Sequence, residues 1–354
     1  MKLQAMIQAA PSWLSGSDDA DGIVVSCRAR LARNLASHPF SAKATPADRE
    51  RVVTEVLGAA KQSRQMGTAS FYSMDMLDSN DRRVLVERHL ISPALADSGG
   101  HSGVLFNRDE SLSVMINEED HLRLQAMCPG RRAGVAWSAA SVLDDELNAA
   151  VACAYDEHLG YLTACPTNTG TGLRMSVLIH LPALVLTEDV ERVIQGLNQL
   201  SFAVRGVYGE GTNAAGNLFQ VSNQVTLGRP EGQLVEDLTR ITRQLVEYER
   251  DAQEALLADA RSQVEDKVWR AYGLLAHARV LSSQEFMNLL SALRLGVSVG
   301  FVKQIPTGFL NHLMIVTQPS HLQARAGGHL EPQERDLQRA ELVRRRMAEV
   351  AAQA

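Results

Sequence analysis

The hydrophobic period of this chain changes at "LGRPEGQ", residues 227–233, and that change limits what the chain can fold into. Ahead of it, apolar residues come in short alternating runs, as with Leu112, Val114 and Ile116 in "SLSVMI". Alternation at two marks a strand with one buried face. Beyond it, Leu234, Leu238, Ile241 and Leu245 recur at helical spacing, and Leu256, Val264, Val268, Tyr272 and Leu275 continue a broken stripe. Strands are predicted at 103–107, 111–116, 174–180, 201–207 and 218–226, and helices at 46–62, 80–91, 118–127, 141–158 and 187–199. Thr45 is a natural N-cap for the first helix, with Pro46 at its first position. Residues 232–346 are predicted mostly helical, with breaks near 296–300, 304–309 and 318–332. The fold class is therefore α+β, with an antiparallel sheet carrying helices; the strand–helix alternation is too irregular for a doubly wound sheet. We divide the chain into a partly helical N-terminal region at 1–95, a sheet-based catalytic core at 96–231 to which the Arg28/Arg30 segment contributes, and a mostly helical C-terminal region at 232–354.

At 354 residues the chain exceeds the usual single domain. A formal charge of −6 argues against a general nucleic-acid binder. No apolar run approaches the roughly 18 residues of a membrane span, and "MKLQAMIQAAPSW" is a poor secretory signal. Cys27, Cys128, Cys153 and Cys165 form no CxxC pair, which argues against a disulfide framework and makes the cytoplasm the default location. The basic residues comprise 30 Arg and 5 Lys. Arginine suits planar, bidentate contact with phosphate, so the position of each one matters.

Four segments are polar where a plain core would not be. In "VVSCRARLARN", Arg28 and Arg30 lie two apart beside Val24 and Val25, so an extended chain points both the same way. "NEEDHLR", 117–123, places three carboxylates at the end of a buried-looking strand. In "CPTNTGTGLRMSVLIH", Cys165 precedes a turn rich in Thr and Gly, and Arg174 and Ser176 begin a strand. "RGVYGEGTNAAGN" is a glycine-punctuated loop carrying Arg205 and Glu210. Converging arginines imply a highly anionic ligand such as a nucleoside triphosphate, and nearby carboxylates imply Mg²⁺ or an organic cation. There is no GxxxxGK[ST] and no HRD with DFG, so neither a P-loop nor a protein-kinase signature is present.

These blocks resemble the ATP:guanido phosphotransferases in residues and in order, through "SCRAR", "NEEDHLR", "CPTNTGT" and "RGVYGE". The resemblance is closer to the bacterial protein-arginine-kinase branch, running through "INEEDHLRLQ", "DEHLGYLTACPTNTGTG", "VRGVYGEGTNAAGNLFQVSNQVTLG" and "AYGLLAHARV" over roughly 20–346. It implies a small helical N-terminal part and a larger domain with an antiparallel sheet flanked by helices. It also implies ATP and Mg²⁺ as cofactors, with Mg²⁺ held mainly through phosphates and water. Arg28, Arg30, Arg123, Arg174 and Arg205 correspond to a phosphate clamp and His89 to a residue on the adenine side. The nucleotide-binding runs map to Ser26, Cys27, Arg28, Ala29 and Arg30, to Arg174, Met175, Ser176, Val177 and Leu178, and to Arg205, Gly206, Val207, Tyr208, Gly209 and Glu210. Glu119 corresponds to the carboxylate that holds the guanidinium and acts as base, Glu210 to its companion, and Cys165 to the thiol beside the reacting group. Asp120 assists either Glu119 or metal waters. Cys27 departs from the usual serine, with a small expected effect.

The resemblance further implies arginine-containing protein substrates, a Clp-type protease system and a stress repressor as partners, and a homodimer or higher oligomer. A kinase for free arginine and a non-catalytic phosphoarginine adaptor remain open as alternatives. "RDLQRA" matches that branch's RDxxRA motif, which assigns Arg335, Asp336, Arg339 and Ala340 to an allosteric phosphoarginine site. By spacing alone, Arg335 and Arg339 share one helix face.

Overall fold

The computed structural model describes residues 6–7, 9–15, 22–206 and 214–352. Its strands are β1 (Val24–Arg33), β2 (Ser70–Ser73), β3 (Gly103–Phe106), β4 (Leu112–Ile116), β5 (Leu122–Pro129), β6 (Tyr155–Asp156), β7 (Gly160–Tyr161), β8 (Leu173–His180), β9 (Phe202–Gly206) and β10 (Leu218–Asn223). Eight of them form a sheet in the order β2-β3-β4-β5-β1-β8-β10-β9, and every neighbouring pair is antiparallel. The first strand in sequence thus lies in the middle of the sheet. β1, which carries Arg28 and Arg30, and β2 both come from the first 95 residues.

The helices are α1 (Pro46–Gln62), α2 (Ser79–Glu87), α3 (Pro93–Asp97), α4 (Ala133–Asn148), α5 (Pro182–Leu186), α6 (Val190–Gln199), α7 (Glu231–His277), α8 (Ser283–Ser298), α9 (Thr307–Val316), α10 (Pro319–Ala326) and α11 (Pro332–Ala351). Thr45 caps α1 in a reciprocal capping box with Asp48. Alternation divides the sheet into two faces. Cys27, Ala29 and Leu31 of β1, Leu122, Leu124 and Ala126 of β5, and Met175 and Val177 of β8 join Ala136 and Leu143 of α4 and Leu238 and Leu245 of α7 in one core. The opposite face carries the arginines. At one end that face is covered by a second core, in which Trp13, Val25, Met127 and Leu178 meet Leu293 of α8, Leu313 of α9 and Val343 of α11. α7 serves both cores because it breaks at Ala260, where φ is −141°.

Several sequence expectations need correction. The helix predicted at 118–127 is a turn followed by β5. Leu122, Leu124, Ala126 and Cys128 do alternate, but Leu, Arg, Gln, Ala and Met are all good helix formers and hid the period of two. The helix predicted at 141–158 is α4, which ends at Asn148. The break predicted at 318–332 contains α10. β1 is ten residues long, of which the sequence had marked only Val24–Val25 and the arginine spacing.

Candidate active site on the arginine face

Strand register brings the arginines together. Arg30 on β1 lies directly opposite Arg174 on β8, and Arg28 lies opposite Ser176. Arg123 of β5 lies opposite Ala32 of β1, while Arg205 of β9 faces Gln220 of β10. Neighbouring hydroxyls and an amide hold the guanidiniums: Arg28 donates to Gln220 Oε1 at 2.8 Å, and Arg174 donates to Ser222 Oγ at 3.0 Å. Burial lowers the Arg28 guanidinium to about 10, helped by the charges of Arg174 and Arg123. Arg30 falls well below its ordinary range through burial, then Arg28, Arg174 and Arg123, with only Glu118 opposing. Burial also lowers Arg174, followed by Arg205 and Arg123. Arg30 Nε is buried with no hydrogen-bond partner. Half-buried cations that repel one another and leave a donor unmet suit a polyanion such as the phosphates of ATP. Among the described residues, no three His, Cys, Asp or Glu side chains gather as a metal-ligand set.

Alternation also sorts the expected nucleotide-binding runs. Ser26, Arg28, Arg30, Arg174, Ser176 and Leu178 lie on the arginine face or its covered end. Cys27, Ala29, Met175 and Val177 point into the helix-covered core, so only their backbone borders the site. The serine-to-cysteine departure at Cys27 therefore leaves the site's side-chain surface unchanged. His89 lies beside Arg28, and together with Trp13, Met127, Leu178 and Gln220 they line a small pocket. Burial, then Arg28 and Arg30, pushes the His89 imidazole down to about 3, so it is neutral at physiological pH.

The three carboxylates of the turn at 117–123 separate into three tasks. Glu118, its side chain 6% exposed, pairs with Arg123 at 2.5 Å. Glu119 is exposed and lies 3.2 Å from Arg123. Asp120 is buried: its Oδ1 accepts from Asn34 at 2.7 Å and from the Ala164 backbone at 2.6 Å, which ties the turn to the cysteine loop. In that loop Cys165 Sγ lies 3.0 Å from Thr167 Oγ1, and Thr163 Oγ1 donates to the Cys165 carbonyl at 2.7 Å. Thr226 Oγ1 holds the loop from below through the carbonyls of Thr167 and Thr169. Val207, Tyr208, Gly209 and Glu210 lie outside the described residues, whereas Gly206 ends β9.

Sequence reasoning missed Glu118, Gln220 and Ser222. "NEED" offered Glu118 as one of three carboxylates. Gln220 and Ser222 gave no signal, because strand order alone brings them to Arg28 and Arg174. The C-terminal motif is also more internal than its spacing suggests. Arg339 is 1% exposed and donates to the carbonyls of Thr317 and Leu281 and to Asp336, bracing α11 against its neighbours. Ala340 is buried, while Arg335 is half-exposed and donates to the Leu330 carbonyl.

Residues 49–252 match the ATP:guanido phosphotransferase C-terminal catalytic domain, and residues 261–354 match the protein-arginine kinase McsB C-terminal domain. The chain is 47% identical over 349 residues to a protein-arginine kinase of Halalkalibacterium halodurans, covering 98% of each. It is 44% identical over 350 residues to that of Bacillus subtilis, covering 98% of this chain and 96% of the other. In structure it is similar to lombricine kinase, with a TM-score of 0.58 and 24% identity over 70% of this chain and 72% of that one. The duplicated taurocyamine kinase of Schistosoma mansoni, with bound transition-state analogue components, gives a TM-score of 0.61 at 24% identity over 77% of this chain and 40% of that one.

Proposed function

Because the chain belongs to the protein-arginine kinase family of the ATP:guanido phosphotransferases, we propose that it transfers the γ-phosphoryl group of ATP to arginine side chains in proteins, giving phosphoarginine and ADP. The observation that carries this reading is the arginine face, five cations converging on one side of a sheet with an exposed carboxylate and a cysteine loop at its border. Arg28, Arg30, Arg123, Arg174 and Arg205 hold the phosphates and gather the charge that builds on the transferring group and on ADP. Mg²⁺ arriving with the nucleotide would supply further positive charge beside these arginines.

A guanidinium is a poor nucleophile until a proton is removed, its pKa lying above about 12. Glu119, free of burial, holds the substrate fork and accepts that proton as the N–P bond forms and the P–O bond to ADP breaks. Glu210 is its companion, and Cys165 contacts the guanidine from the opposite border. Asp120 acts by position, fixing the acidic turn to the Cys165 loop. In the C-terminal region, Arg335 and Asp336 present the phosphoarginine contact and Arg339 braces it. We further propose that the product marks proteins for a Clp-type protease or controls a stress repressor, and that the chain acts as a dimer or larger assembly.

The test is direct. Protein, Mg·ATP and either a folded protein substrate or free arginine are incubated, and phosphoarginine is measured by mass spectrometry under conditions that keep the P–N bond. Phosphate on the protein is expected, and turnover with the free amino acid alone overturns the proposal. Glu119→Gln lowers turnover by about 10²–10⁴-fold with little change in Mg·ATP affinity. Wild-type turnover in that variant removes Glu119 from the mechanism. Arg335→Ala with Asp336→Ala abolishes activation by added phosphoarginine while Mg·ATP binding persists, and unchanged activation removes the second site.

A further inference from the structure

His89 has a left-handed backbone, φ 58°, a conformation uncommon for a residue with a side chain. It directly follows Glu87 and Arg88 at the end of α2, and the C-terminal region grips both. The Glu87 carboxylate accepts from the backbone N–H groups of Ser320 at 2.8 Å and His321 at 3.0 Å, in the first turn of α10. An anion is favoured at that end of a helix. The same carboxylate lies 2.7 Å from His321 Nδ1.

The His321 ring is fully buried, and its Nε2 lies 3.4 Å from Arg88 NH1. A neutral imidazole with its proton on Nδ1 meets both contacts, donating to Glu87 and accepting from Arg88. Arg88, itself 0% exposed, directs its remaining donors to Glu110 at 2.7 and 2.5 Å and to the Ala9 carbonyl at 3.0 Å. Ala9 leads into the turn bearing Trp13, whose ring stands edge-on to His89 at 5.4 Å. On the sheet side, Gln125 holds the His89 carbonyl at 2.7 Å.

We propose that the Glu87–His321 contact is a positioning joint, through which the C-terminal helices set the turn at His89 and so the shape of the pocket beside Arg28. Neither residue touches the ligand; both act through His89. The proposal rests on reading that pocket as part of the nucleotide site. The alternative is that the joint only adds stability, and the two differ in what they do to KM.

In the full chain, Glu87→Gln and His321→Ala raise the KM for Mg·ATP about tenfold while kcat at saturating ATP stays within about twofold. His321→Gln, whose amide can donate to Glu87 and accept from Arg88, returns KM most of the way. Asn80 serves as control: it bridges the same helix pair through the Ser320 carbonyl at 3.2 Å and Gln323 at 3.1 Å, away from His89. Asn80→Ala lowers the denaturation midpoint and leaves KM unchanged. Should His321→Ala not fold, Glu87→Gln, which keeps the side-chain volume, decides. A wild-type KM in folded Glu87→Gln overturns the joint, as does an equal rise in Asn80→Ala. Mg·ADP affinity of His89→Ala tests the underlying pocket separately. If it is unchanged, the pocket assignment fails; if it weakens while the joint variants keep wild-type KM, the joint alone fails.

Discussion

Arg30 shows why a residue can be right for a site and wrong for a fold. It is half-buried, repelled by three neighbouring arginines, and keeps one donor unmet. Arg30→Met keeps the length of the stem and removes the repulsion, so the unliganded protein should become more stable, by about 2 °C in denaturation midpoint. The same change should remove measurable Mg·ATP binding, because a clamp donor is lost. A lower midpoint in the variant shows that the cluster is better neutralised than its geometry indicates. The arginines themselves were legible, since Arg28 and Arg30 lie two apart and strands keep period two. Of their partners, Ser176 stood in the expected nucleotide-binding run, whereas Gln220 and Ser222 reach Arg28 and Arg174 only through the order of β1, β8 and β10, which no local pattern encodes.

Among elements, α7 and α8 meet where Gly296 stands against Val268. A Cβ at Gly296 would lie 2.2 Å from a Val268 methyl, and Val268 is fully buried. Two effects compete in Gly296→Ala. Helix propensity favours alanine by about 1 kcal/mol, whereas overpacking a stiff β-branched neighbour costs about 1–3 kcal/mol. Packing wins, and urea denaturation should show a net loss of about 1 kcal/mol or more; a gain shows that the helix pair can spread freely. The helical stripe of α7 was legible from its leucines, yet its break at Ala260 was not, because the stripe carries no proline or glycine there. β5 was misread for the opposite reason, its residues preferring helix while the sheet supplied the pairing on both edges.

At the scale of the whole molecule, Glu249 joins the long helix to the body behind the sheet. It is 0% exposed and accepts from the backbone of Ala183 and Leu184 at the start of α5. Burial pushes its carboxyl from 4.5 up to about 7, against hydrogen bonds from Gln253, Ala183 and Leu184. Between those values the folded protein holds a proton that the unfolded chain has released, so this contribution to stability is full below 4.5 and is lost as pH rises through about 7. Urea midpoints at about pH 5 and about pH 8 should therefore differ less in Glu249→Gln than in wild type, by on the order of 2 kcal/mol in stability. Equal pH dependence in both removes Glu249 as the source. The change of period at 227–233 coincides with the switch from strands to helices between Asn223 and Glu231. That the helical end shares a core with Trp13, Met127 and Leu178 was not visible in the sequence, since nothing local links residues so far apart.

The central place of β1 also sets an order of assembly. As the chain emerges from the ribosome, β1 comes out early, but its two partners arrive only with residues 122–129 and 173–180. At typical synthesis rates the nascent strand keeps an open edge for on the order of ten seconds. Until β8 has been made, Arg28 and Arg30 have no Ser176 or Arg174 across from them, so the proposed phosphate clamp stays incomplete until His180 has been added.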